Sequence, residues 1–208
     1  MKKRILIMIV TFAAGLFSVS AFAQDKLKME IGYNVSAPLG SFKSNYISNT
    51  SFRGVTGEIS YAVSPKFSLG LHAGYQSYYQ KYGRQLYKTN ENETISAVVT
   101  NTMEVLPFMV RGTYFPKGGS AAIQPYVSAG AGVNLINYSQ YYGQFADNQA
   151  SFPIGAQAGA GVLIPFGNKL NQSGIKLGAT YNFASYNKNN ISNINTVGVH
   201  AGVVFALR

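Results

Sequence analysis

Lys28, Glu30, Glu58, His72, Arg111, Lys176 and His200 are the side chains of this sequence whose types could do chemistry together. Each stands in a segment where apolar residues alternate with small or polar ones, and each falls on the small, polar side. Carboxylates facing cations in a narrow space form a salt-bridge plug. That plug either only satisfies buried charges or gates a narrow conductive path. Two histidines and several serines raise the alternative of a hydrolase, but neither His72 nor His200 has a Ser two residues on or a carboxylate in local spacing. Two histidines on non-adjacent segments are a poor metal site, and the chain has no Cys for a thiolate one. No catalytic, cofactor-binding or metal-ligating residue is assigned, and no cofactor is expected.

The chain begins with Lys2, Lys3 and Arg4, then the apolar run 5–17, then the small-x-small site Ala21-Phe22-Ala23. This is the pattern of a cleaved secretory signal over 1–23, with Gln24 as the first mature residue. The apolar run is too short for a transmembrane helix, and no Cys follows the site to carry a lipid anchor. Of 17 Lys and Arg, three lie in this leader, leaving 14 against 7 acidic residues, a net +7. Export and the scatter of these charges argue against nucleic acid as a partner. The phosphates of lipopolysaccharide are the anionic neighbours that suit an exported basic protein.

Eight segments after the leader carry a period of two: about 26–37, 52–63, 67–79, 102–115, 123–136, 152–166, 174–183 and 196–207. Tilted strands of roughly 9–11 residues cross a membrane, so eight such segments predict a barrel. The connections 64–66, 116–122 and 167–173 are short and hold Pro65, Pro116, Gly118-Gly119 and Gly167-Asn168, as tight turns do. The connections 38–51, 80–101, 137–151 and 184–195 are long and rich in Asn, Ser, Tyr and Gln. The expectation is all-β: residues 24–208 form one eight-stranded antiparallel transmembrane barrel in the outer membrane. It has four long extracellular loops, three short periplasmic turns and both termini periplasmic.

Glycine supports this assignment. Nearly every strand glycine, Gly32, Gly70, Gly130, Gly178 and Gly202 among them, falls on the polar face, where an eight-stranded lumen has room only for side chains. Gly57 and Gly112 alone fall on the apolar face. The Gly-rich runs 128–134 and 155–161 precede no helix and need no phosphate-binding explanation. Of the 15 Tyr and 13 Phe, Tyr61, Phe67, Tyr114, Phe115 and Phe166 sit beside short turns. Tyr75, Tyr79, Tyr138 and Phe183 sit near long loops, so the two sets form girdles at two interfaces. A lipocalin-like soluble barrel is the structural alternative, but it places apolar residues inside. Pro107 lies within the fourth strand, where a closed barrel has no free edge for it, and predicts a bulge near the outer rim.

The segments "IQPYVSAGAGVNL" (123–135), "AQAGAGVLIPFG" (156–167) and "VGVHAGVVFAL" (197–207), with the opening "YNVSAPLGSFKSNY" (33–46), resemble the outer-membrane β-barrel domain family of small OmpA/OmpX-type barrels common in Bacteroidetes. The resemblance covers the whole chain after the leader and implies fold and location, with no catalytic motif.

The long connections are the remaining candidates for function. Lys81, Arg84 and Lys88 lie in 80–101, and Tyr138, Tyr141 and Tyr142 in 137–151. Tyr offers large contact area at low entropic cost, and the cations suit anionic groups. Either these loops are solvated against lipopolysaccharide or they bind a host or cell-surface ligand. The function expected is a monomeric structural or surface-recognition barrel that displays its loops. A narrow porin-like channel is the alternative, and a lipid A-modifying enzyme is the third reading.

Overall fold

The computed structural model describes residues 26–90, 93–118, 121–142, 145–166, 173–188 and 191–207. The expected leader, 1–23, lies outside them. The elements are β1 (Leu27–Leu39), α1 (Gly40–Asn45), β2 (Ser51–Ser64), β3 (Phe67–Lys81), β4 (Gln85–Asn90), β5 (Glu93–Ala97), β6 (Val99–Tyr114), β7 (Gln124–Tyr142), β8 (Phe145–Ser151), β9 (Ile154–Pro165), β10 (Gly174–Lys188) and β11 (Ile191–Ala206).

Eight of the strands close on themselves in the order β1, β2, β3, β6, β7, β9, β10, β11, every neighbour antiparallel. The first and last strands zip from Lys28↔Ala206 to Leu39↔Asn195, which closes the cylinder. β8 is an extra strand that pairs with β7 alone. All eight expected segments are staves, with their faces as the alternation predicts. Leu71, Val199 and Ile59 point outward and are 69%, 59% and 50% exposed, while Glu58, His72 and Arg111 point inward and are at most 5% exposed. An exterior of Leu, Ile, Val and Phe around a charged interior is stable only where the outside solvent is hydrocarbon.

The strands are longer than a membrane needs. β7 runs 19 residues, about twice the 9–11 that cross a bilayer. The excess lies at the end away from the tight turns, and there the structure corrects the expected loops. The segment 80–101 contains the β4/β5 hairpin, a small sheet of its own. The segment 137–151 is strand again, β7 continuing to Tyr142 and β8 returning beside it. The segment 184–195 is the outer part of the β10/β11 hairpin. The segment 38–51 contains α1. Alternation of apolar and polar residues ends where a strand leaves the lipid, but its hydrogen bonding continues into water, so the sequence signal stops before the strand does.

Pro107 makes no bulge. Ala73↔Phe108 and Gln76↔Val105 keep one register, and the two pairs between them are missing. Proline has no N–H to give β3, while its other side stays paired, Pro107↔Asn134. The ring rises over Gly74, where a Cβ would stand 3.3 Å from Pro107 Cγ. The barrel accepts a proline in a central strand by dropping two ladder pairs opposite a glycine.

Candidate functional site

The lumen is filled in layers. Nearest the tight turns, Lys176 Nζ donates to Glu30 Oε2 at 2.6 Å and stands 4.9 Å from the centre of the Tyr126 ring. Tyr126 Oη and His200 Nε2 are 3.0 Å apart. Glycine is required here: a Cβ on Gly178 would collide with Tyr126 Oη and approach His200 Cε1 to 2.8 Å. Lys28 is half-buried and has no ion-pair partner among the described residues.

One layer further out, Arg111 Nη1 donates to Glu58 Oε2 at 2.8 Å and Arg111 Nη2 to Gln157 Oε1. The web continues through Gln157 Nε2 to Asn182 Oδ1 (2.6 Å) and Asn182 Nδ2 to Thr196 Oγ1 (3.3 Å). It therefore ties β2, β6, β9, β10 and β11 across the barrel. His72 Nδ1 stands 3.8 Å from Glu58 Oε2, too far for a hydrogen bond. The four central charges sum to zero and are paired two by two, the arrangement that lets ions be buried at tolerable cost.

Above this web is a cavity of about 60 Å³, lined among others by His72, Arg111, Asn134, Gln157 and Thr196. By the volume one water needs, it has room for about four. The donors Asn134 Nδ2 and Arg111 Nε, which have no hydrogen-bond partner among the described residues, border it.

The outer mouth is closed by an apolar plug. Gly40, at φ +59°, turns the chain inward from β1, a conformation that suits glycine. α1 then places Phe42, and the residues after it Tyr46 and Ile47, inside the rim against Tyr78, Met103, Ile136, Tyr138, Tyr186 and Ile191. Phe42, Ile47, Met103 and Ile136 are fully buried. Tyr46 stacks on Tyr138, centroids 4.6 Å apart, and its hydroxyl donates to the Thr102 and Ser139 carbonyls at 3.1 and 2.8 Å. Burial, reinforced by Tyr138, pushes the Tyr46 phenol above its usual pKa, so it remains neutral. Ser41 Oγ donates to the Ser192 carbonyl at 2.7 Å, which moors α1 to the β10/β11 hairpin.

The structure thus gathers Glu30, Glu58, His72, Arg111, Lys176 and His200 in one lumen. It separates the loop candidates. Lys81 and Arg84 are exposed and Tyr141 is 41% exposed. Lys88 lies on β4 opposite Thr94, and Tyr142 on β7 opposite Val99. Tyr138 is a correction: at 4% exposure it belongs to the plug, neither to the loop surface nor to the outer girdle. Tyr126, Gln157, Asn182 and Thr196 are not among the site candidates that the sequence singles out. Strand parity already put them on the polar face, but uncharged types did not draw notice. Phe42 and Tyr46 had a signal too, since a separation of four suits one helix face.

A closed eight-stave barrel with a lipid-compatible exterior and a charged lumen defines an outer-membrane β-barrel protein. The chain belongs to the outer membrane protein beta-barrel domain family, which it matches over residues 9–205. No curated protein matches it. Among solved structures, Neisserial surface protein A is similar at 15% identity and TM-score 0.53, over 86% of this chain and 95% of that one. Ail of Yersinia pestis, solved with the heparin analogue sucrose octasulfate, gives 14% identity and TM-score 0.49 over 86% and 98%. The N-terminal barrel of Pseudomonas aeruginosa OprF gives 15% and 0.43 over 86% and 97%. The first of these likenesses, at TM-score 0.53 and 15% identity, shows the fold alone.

Proposed function

We propose that this protein is a non-conducting, monomeric surface-display barrel whose specific contacts are made by its extracellular hairpins. One observation carries the reading: the lumen is closed at both ends, by the ion-paired layers around Lys176–Glu30 and Arg111–Glu58 and by the plug around Phe42. With lipid on one side of the strands and packed side chains on the other, the free surface is the outer hairpins, where Lys81, Arg84 and Tyr141 are exposed. The narrow-channel reading draws on the polar cavity between the two barriers. No enzymatic step is assigned, because His72 and His200 face this lumen, away from lipid and surface.

The test replaces 81–100 and 140–147 with short Gly-Asn turns. The shortened protein stays folded and heat-modifiable on gels, and loses binding to cells, matrix proteins or lipopolysaccharide. Undiminished binding with both hairpins shortened places recognition elsewhere. The leader reading belongs to the same proposal: intact mass of membrane-extracted protein should correspond to a chain starting at Gln24, and a mass retaining 5–17 sinks it.

A further inference from the structure

We propose that the outer wall of β2 and β3 is a binding site for one phosphorylated lipid of the outer leaflet, independent of anything the hairpins bind. Two separate observations meet on this face.

The first is a cation at the outer interface. A bulge at the start of β2 shifts its register against β1 between Asn34 and Ser36 and turns both Phe52 and Arg53 outward. Phe52 is 65% exposed. The Arg53 guanidinium stands 5.9 Å from the centre of the Tyr79 ring, and Tyr33 Oη donates to the Phe52 carbonyl. Among the described residues no carboxylate pairs with Arg53. Glu104, outward on β6, is instead held by Tyr75 Oη at 2.9 Å and by Asn137 Nδ2 at 3.4 Å. Tyr and Arg at headgroup level, with the donors of the guanidinium fork uncommitted, suit a phosphate.

The second is an apolar depression deeper on the same wall. Gly57 and Ala73 pair across β2 and β3, both outward, between Ile31 and Phe108 in the same row. Val55 and Leu71 border them. A Cβ on Gly57 would meet nothing nearer than the Glu30 carbonyl at 3.9 Å, so the surface there is open. Gly57 is four residues from Arg53 along one strand, about 13 Å. With the usual strand tilt, that sets the depression about 10 Å deeper in the membrane. A lipid whose phosphate meets Arg53 lays an acyl chain over Gly57 and Ala73. Charge above and a small-residue trough below match one amphipathic molecule; free phosphate uses only the upper half.

The experiment titrates the detergent-extracted protein with diphosphoryl lipid A and counts bound lipid by native mass spectrometry. The expected result is a single retained lipid in the parent protein. Arg53→Ala weakens it about tenfold or more, as loss of a charge-assisted hydrogen bond does, and Arg53→Lys restores part of the binding. Gly57→Leu, which fills the trough without a clash at Cβ, weakens it comparably with the cation intact. Heat-modifiable migration of each variant establishes that the barrel is folded. Equal binding of dephosphorylated lipid A, competition by inorganic phosphate as strong as by lipid A, or parent-like binding in both Arg53→Ala and Gly57→Leu overturns the proposal.

Discussion

Glu58→Ala is expected to destabilise the barrel by about 3–5 kcal/mol, the cost of stranding a buried charge. Arg111 is 4% exposed and spends one terminal guanidinium nitrogen on Glu58 and the other terminal one on Gln157. Removing the carboxylate leaves a cation in a narrow lumen with one neutral partner. The measurement is urea unfolding in detergent micelles, followed by loss of heat-modifiable migration. Replacing both members, Glu58→Ala with Arg111→Met, should recover most of the loss, because neither ion then needs a partner. A change below about 1 kcal/mol in the single variant would falsify the claim that the pair holds the web together. The same variant should stay electrically silent in planar bilayers, because the plug above it is intact. Conductance from Glu58→Ala alone contradicts two barriers in series.

Phe42→Ala is expected to cost the plug about 3–5 kcal/mol, the usual loss for a fully buried Phe, without unfolding the barrel. Phe42 is 0% exposed and packs edge-on against Tyr78 with centroids 5.2 Å apart. The plug is a short insertion moored by Ser41 and Tyr46, whereas the barrel has its own closed hydrogen-bond ladder. Undocking therefore has a lower threshold than global unfolding. The chain has no cysteine, so Met103→Cys is a clean reporter. It should resist aqueous thiol reagents in the parent protein and label readily beside Phe42→Ala. Unchanged protection in Phe42→Ala means that the plug does not depend on this ring. The combination Phe42→Ala with Glu58→Ala undocks the plug and breaks the Arg111 web, and is the variant in which conductance is expected; silence there, with the barrel folded, leaves the lumen closed by the Lys176–Glu30 layer beneath.

Fold and location were legible in the residues themselves. A strand crossing hydrocarbon must alternate between lipid and lumen, so Leu69, Leu71 and Ala73 against Gly70, His72 and Gly74 declare their faces without any tertiary information. Which charges share the lumen was legible by the same parity. Their partners were not. Arg111 could have met Glu30 as well as Glu58, and only the barrel's stagger sets Arg111 on β6 level with Glu58 on β2, one strand away across β3. The plug was hidden for a related reason. Phe42 and Tyr46 look like any loop aromatics until the mouth they fill has been built from β3, β6, β7, β10 and β11. Tyr138 was misplaced because alternation ends at the membrane edge while β7 runs on, turning a supposed loop residue into a wall residue that faces inward. Local periodicity is set by the solvent on each face of a strand and is written along the chain. Pairing across the lumen, closure of the mouth, and the meeting of Arg53 with Tyr79 and of Gly57 with Ala73 across β2 and β3 depend on distances between separate segments, and those exist only once the strands have paired.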